Sequence, residues 1–158
     1  MKRKKILFVC TGNTCRSPMA EAILRTEIKK RKIKWWDVAS AGLHASTGSP
    51  MSENSRLALE EIGINYSDFK SRQLTQKLIS SSTLVVTMTE EQMQLLDDCG
   101  NVRSVRDMCG FDIPDPFCYG IEVYRITRDA LIKVFKESTE NYILKFEDSS
   151  GVNKLMKI

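Results

Sequence analysis

The 158-residue chain has one histidine, four prolines and no apolar stretch near the ~20 residues that a membrane-spanning helix needs. A lone histidine, His44, leaves no histidine-built metal site, and the five cysteines lack the close paired spacing of zinc ligands. No metal and no cofactor is therefore expected. An odd cysteine count also argues against a disulfide framework and for a reducing compartment. The basic start Met1-Lys2-Arg3-Lys4-Lys5 precedes only Ile6-Leu7-Phe8-Val9, which reads as a strand and is too short for a signal peptide. A cytoplasmic protein with no membrane partner is expected. The net charge of +4 suits an acidic or phosphorylated ligand but gives no dense basic stripe for nucleic acid. Lys2 to Lys5 and Lys29-Lys30-Arg31-Lys32 read as solvated surface. With 42% hydrophobic residues, no repeat and no linker, residues 1–158 read as a single domain with its own core.

Strand and helix patterns alternate along the chain, which predicts an α/β fold. The expectation is a parallel four-stranded sheet with helices on both faces and a loop after strand one that binds the ligand. Strands are expected at Lys5–Val9, Asp37–Ala41, Thr83–Met88 and Val102–Val105. Met19, Ile23, Leu24 and Ile28 recur at helical spacing, and Leu57, Leu59 and Ile62 predict a helix over 51–62 that stops at Gly63. Thr89-Glu90-Glu91-Gln92 has the form of a capping box opening a short helix. Tyr124, Leu131, Val134, Phe135 and Tyr142 predict a long last helix, and the tail 146–158 is expected to fray. Residues 42–50 and 109–120 are loop-rich, and ligand sites in such sheets collect beyond the carboxyl ends of the strands.

One segment carries chemistry. Cys10-Thr11-Gly12-Asn13-Thr14-Cys15-Arg16-Ser17 follows the first strand and leads into a helix. A phosphoryl group presents three anionic oxygens, so its cradle needs converging backbone N–H groups and a fixed cation. Gly12 and Asn13 suit the left-handed turns of a concave loop. The helix opening near Ser17-Pro18 aims its positive end at the same point. Cys10 is then placed as a nucleophile, Arg16 as the cation, and Thr11 to Ser17 as the phosphate-binding loop. A structural cysteine at a strand end is the bland alternative, and the agreement of strand, turn residues and helix start outweighs it.

The stretch Val9 to Glu21 resembles the signature of the low-molecular-weight protein tyrosine phosphatases. Ser40-Ala41-Gly42 and Asp115-Pro116-Phe117 keep that family's order and spacing, and the resemblance runs from residue 4 to about 146. Thr11, Asp115-Pro116-Phe117 and Val123 to Asp129 make it similar to the bacterial protein-arginine phosphatases within the family. The resemblance implies that Cys10 attacks phosphorus to form a phosphocysteine, and that Arg16 holds the phosphoryl oxygens. Asp115 protonates the leaving atom, then deprotonates the hydrolytic water. Ser17 is implied to donate to the Cys10 thiolate, in addition to the N-cap role its position suggests. Asn13 and Ser40 are implied to hydrogen-bond and hold the loop in shape. Phe117 and Tyr119 are expected in the crevice wall, with ordinary loop packing as their alternative. Many members carry a histidine six residues before the threonine that aligns with Thr75; this chain has Phe69 there. His44 is expected near the crevice entrance rather than as a base for Cys10.

The implied partners are phosphorylated proteins, with phosphoarginine as the substrate class and phosphotyrosine as the alternative. A thioredoxin-coupled arsenate reductase shares this fold and loop but needs a second, nearby cysteine pair. Cys99 and Cys109, ahead of Asp115, are unsuitably spaced for it. A phosphocysteine carrier of a sugar-transport relay needs no acid such as Asp115.

Overall fold

The computed structural model of the chain describes residues 3–96 and 99–138, with side chains described as far as 135. Its centre is strand β1 (Lys4–Cys10), which pairs in parallel with β2 (Trp36–Gly42) on one side and β3 (Leu84–Thr87) on the other. Strand β4 (Val102–Ser104) pairs with β3, giving the order β2-β1-β3-β4. Val9 stands opposite both Ala41 and Thr87, so the three strands end nearly level and their loops collect at one edge.

Alternation along β1 sorts its side chains to two faces. Ile6, Phe8 and Cys10 join a core with helices α1 (Arg16–Lys30), α2 (Glu53–Glu60) and α6 (Ile121–Ser138). Leu7 and Val9 join the opposite core, with Ile79 of α3 (Gln76–Ser80) and Met93 of α4 (Glu90–Gln94). Helices therefore cover both faces. Phe8 packs on Phe135 with ring centroids 5.1 Å apart, and Leu24, Leu59 and Leu131 are fully buried beside them. Each such burial is worth roughly 1.5–3 kcal/mol.

Several element ends differ from the sequence reading. Strand three runs Leu84–Thr87 rather than to Met88, although Met88 N–H still reaches Val9 O. Strand four stops at Ser104, because Ser104 forms a capping box with Asp107 and opens α5 (Val105–Cys109). That helix ends at Gly110, whose φ of 85° is the left-handed cap. Helix α3, capped by Thr75, was also not anticipated. The second helix spans Glu53–Glu60. Gly63, at φ 76°, closes it with a Schellman pair, Gly63 N–H to Glu60 O and Ile64 N–H to Leu59 O. The expected continuation of α6 to Tyr142 and the tail 146–158 lie outside the described residues.

Candidate active site

The loop between β1 and α1 is shaped by two neighbours. Leu43 N–H donates to Cys10 O and His44 N–H to Thr11 O, both at 2.9 Å, so the chain leaving β2 satisfies the outer carbonyls of the loop. Gly42 permits this approach. A Cβ there would stand 2.8 Å from Thr11 O and about as close to the side chains of Asn13 and Ala45. The left-handed turn falls on Asn13, at φ 55°, and not on Gly12, whose φ is not positive. Asparagine tolerates that conformation because its short amide can bond locally.

Those bonds have a fixed direction. Arg72 N–H donates to Asn13 Oδ1 at 2.9 Å, which orients the amide because a backbone N–H cannot accept. Asn13 Nδ2 then donates to Ser17 Oγ at 2.8 Å and to Ser40 Oγ at 2.9 Å. Ser40 donates to Glu21 Oε2 at 2.6 Å, and Tyr66 donates to Glu21 Oε1 at 2.7 Å. Having accepted from Asn13, Ser17 keeps its own proton for Cys10 Sγ, 2.9 Å away. Ser17 is the second residue of α1 and not its N-cap. The cap position is Cys15, which makes no side-chain capping bond. Pro18 accordingly sits third in the helix, still among the residues whose N–H groups lack a helical partner.

Arg16 spans the site. It is buried, and its Nη1 donates to Ile113 O at 3.0 Å while Nη2 lies 3.3 Å from Asp115 Oδ2. Its Nε is buried with no hydrogen-bond partner among the described residues. An unpartnered guanidinium N–H costs energy unless a ligand oxygen takes it. Asp115 is half-exposed across the opening, and its Oδ1 accepts Phe117 N–H at 3.1 Å. Asp112 is occupied elsewhere: it accepts Glu90 N–H at 2.9 Å and pairs with Arg106. Cys10, Thr11, Gly12, Thr14, Cys15, Arg16, Asp115 and Phe117 line a cavity of about 210 Å³.

Tyr119 is not among those lining residues. Its side chain is 62% exposed and its carbonyl accepts from Asn54. The expected crevice wall is thus Phe117 without Tyr119. His44 is exposed and does not line the cavity. Phe69 is buried against Tyr66, with ring centroids 5.8 Å apart, and Tyr66 and Ser40 are the described partners that hold Glu21 on the loop side. Arg25 reaches Glu21 from solvent at 3.4 Å.

Glu21 and Tyr66 were not singled out from the sequence. The available signal was a carboxylate inside the apolar run Met19-Ala20-Glu21-Ala22-Ile23, where only a partnered charge can be buried. Burial, then the adjacent Glu21 charge, pushes the Tyr66 phenol above its ordinary pKa. Tyr124 of α6 contacts Cys15 Sγ at 3.4 Å and is pushed up to about 12, first by burial and then by that contact. Both phenols are neutral at physiological pH. Among the described residues no cluster of His, Cys, Asp or Glu could hold a metal ion, and no helix is long and apolar enough to cross a membrane.

Known proteins are similar to this chain in sequence and fold. A protein-arginine-phosphatase of Geobacillus stearothermophilus is 38% identical over 135 residues, covering 80% of this chain and 88% of that protein. An arsenate reductase of Halalkalibacterium halodurans is 35% identical over 147 residues, 87% of this chain and 99% of that one. The solved structure of the YwlE arginine phosphatase from Geobacillus stearothermophilus superposes with a TM-score of 0.82 at 34% identity, covering 94% of this chain and 99% of that chain. Residues 5–144 match the low molecular weight phosphotyrosine protein phosphatase family, and the chain belongs to that family.

Proposed function

We propose that this protein is a cysteine-dependent protein phosphatase acting on phosphoarginine, with Cys10, Arg16 and Asp115 as its reacting groups. The observation that carries the reading is the buried, unpartnered Arg16 Nε in a small cavity shared with Cys10 and Asp115. A phosphoryl oxygen is the acceptor that this nitrogen lacks. Arg16 would hold two equatorial oxygens, and the loop of residues 11–17 would surround the third. Cys10 Sγ attacks phosphorus, forming the P–S bond as the P–N bond to the arginine side chain breaks. Asp115 gives its proton to the departing nitrogen. It then takes a proton from a water that attacks phosphorus, and the P–S bond breaks to release inorganic phosphate. Ser17, with its proton free for Sγ, stabilises the sulfur both as nucleophile and as leaving group.

Thr11 supports the choice of phosphoarginine. It lines the cavity next to Cys10, and its hydroxyl offers polarity where an aliphatic side chain would favour a flat aryl group. The similar protein-arginine phosphatase favours the same choice. Phosphotyrosine is the second reading, favoured by Phe117, which lines the cavity with 63% of its surface exposed. An arsenate reductase relay is disfavoured by the cysteines. Cys109 packs on the α1/α6 face of the sheet and Cys99 on the α3/α4 face, so the two do not form a pair. Phosphorylated proteins in the cytoplasm are the proposed substrates.

Parallel kcat/KM measurements on phosphoarginine and phosphotyrosine peptides test the reading, without any thiol donor. Steady turnover with the larger value on phosphoarginine is expected. A larger value on phosphotyrosine replaces the substrate assignment, and no phosphate release from either peptide, together with arsenate reduction once a dithiol is added, replaces the reaction.

A further inference from the structure

Gln92 is read from the sequence as the closing residue of a capping box, and only half of that box forms. Thr89 Oγ1 accepts Gln92 N–H at 3.1 Å, but the glutamine side chain does not return to Thr89. It is buried, 6% exposed, and turns beneath the loop instead. Gln92 Oε1 accepts Met88 N–H at 3.1 Å, a donor shared with Val9 O at the same distance. Its Nε2 donates to Thr11 Oγ1, also at 3.1 Å. The backbone N–H of Met88 can only donate, so it fixes which end of the amide faces it and leaves Nε2 for Thr11.

Thr11 Oγ1 is therefore the acceptor in this bond, with one lone pair and its own proton left for other partners. Threonine exchanges hydroxyl and methyl by a rotation of about 120° at χ1. The residue that grips Oγ1 thus decides where both branches stand. We propose that Gln92 is a specificity-positioning residue: by holding Thr11 Oγ1 it sets the polar wall beside Cys10 that favours a guanidino over an aryl leaving group. This rests on the reading of Thr11 given above. A guanidinium offers N–H donors and no acceptor, so it gains from an oxygen lone pair in a fixed place. A phenyl ring gains nothing from it.

The test is a double-mutant cycle read as the ratio of kcat/KM on phosphoarginine to that on phosphotyrosine peptides, with thermal unfolding recorded for each variant. Gln92→Leu keeps bulk and removes both bonds. It should lower the ratio about fivefold to tenfold, the worth of one neutral hydrogen bond. The same change in a Thr11→Val background should leave the ratio where Thr11→Val alone puts it. Gln92→Glu keeps the bond from Met88 but can only accept from Thr11, freeing both threonine lone pairs, and should raise the ratio. It also decides the matter if Gln92→Leu does not fold. An unmoved ratio in a folded variant overturns the proposal, as does an equal shift with and without the Thr11 hydroxyl. A wild-type preference for phosphotyrosine overturns the arginine assignment instead, and the cycle then still reports whether Gln92 acts through Thr11.

Discussion

The two halves of the site are built in opposite ways. On the nucleophile side, Asn13, Ser17 and Ser40 have no exposed surface and Glu21 has 1%. Their hydrogen bonds run in one direction, from Arg72 N–H at one end to the Glu21 carboxylate at the other. On the acid side, Asp115 is half-exposed on a segment without helix or strand, between Pro114 and Pro116. That segment is tied down at one fully buried residue, Ile113, whose N–H meets Met88 O and whose carbonyl meets Arg16. A thiolate and a phosphoryl group need donors held in place before substrate arrives. A proton donor must serve leaving groups of varied shape, and an exposed carboxylate can. Stability is therefore expected to be invested on one side and substrate tolerance on the other.

The largest effects expected from this contrast are on the nucleophile side. Cys10→Ser should reduce turnover to background while the protein stays folded and still binds a phosphate analogue. Arg16→Lys should cost about 10³-fold or more in kcat, because an ammonium cannot replace the planar fork. Residual hydrolysis close to wild type in either variant would sink the mechanism. Asp115→Asn is the corresponding break on the exposed side. It should slow poor leaving groups by about 10²- to 10⁴-fold and an activated nitrophenyl phosphate far less, with no change in thermal midpoint. A uniform loss across leaving groups, or a lowered midpoint, would mean that Asp115 holds structure as the other half does.

Glu21→Gln sharpens the same comparison at the level of stability. The amide retains the volume but offers one acceptor oxygen where Ser40 and Tyr66 now use two. An unmet buried donor costs about 1–3 kcal/mol, so a lowered denaturation midpoint is expected together with an equal loss of kcat on every leaving group. Leaving-group-dependent loss would instead place Glu21 in the proton transfer.

What could be read from the sequence follows the same divide. The strand positions and the cysteine loop rest on local signals, apolar runs and Gly-Asn, whereas Asp115 was reached through the family resemblance and the strand order β2-β1-β3-β4 only through the fold. Helix α5 was missed although Ser104-Val105-Arg106-Asp107 carries its capping box, because Val102-Arg103-Ser104-Val105 reads as one strand. Ser17 looks like a helix cap in one dimension; its bond to Cys10 was implied by the family resemblance, and the fold brings the two atoms to 2.9 Å while giving the cap position to Cys15. Tyr66 reaches Glu21 of α1 across 45 residues and Gln92 reaches Thr11 of the loop across 81, and no local pattern encodes a contact of that range. Tyr119 lies two residues beyond Phe117 and shares its character, yet the turn at Cys118, with φ 68°, separates them.

The smallest expected effect concerns alkaline stability, and it too belongs to the nucleophile side. An unfolded tyrosine loses its proton near pH 10. In the folded protein Tyr124 is pushed up to about 12 by burial and by Cys15, and Tyr66 is raised as well by burial and by Glu21. Above pH 10 the folded chain therefore binds more protons than the unfolded chain, and stability falls as pH rises. The contribution of Tyr124 is complete below pH 10 and is lost as pH climbs from 10 through about 12. Urea midpoints measured from pH 9 to 11.5 should decline over the upper half of that range. Tyr124→Phe should flatten the decline without removing it, since Tyr66 still titrates differently in the two states. Should Tyr124→Phe leave the decline as steep as in wild type, the buried phenol beside Cys15 is not its source and the division of the site into a buried and an open half does not extend to its tyrosines.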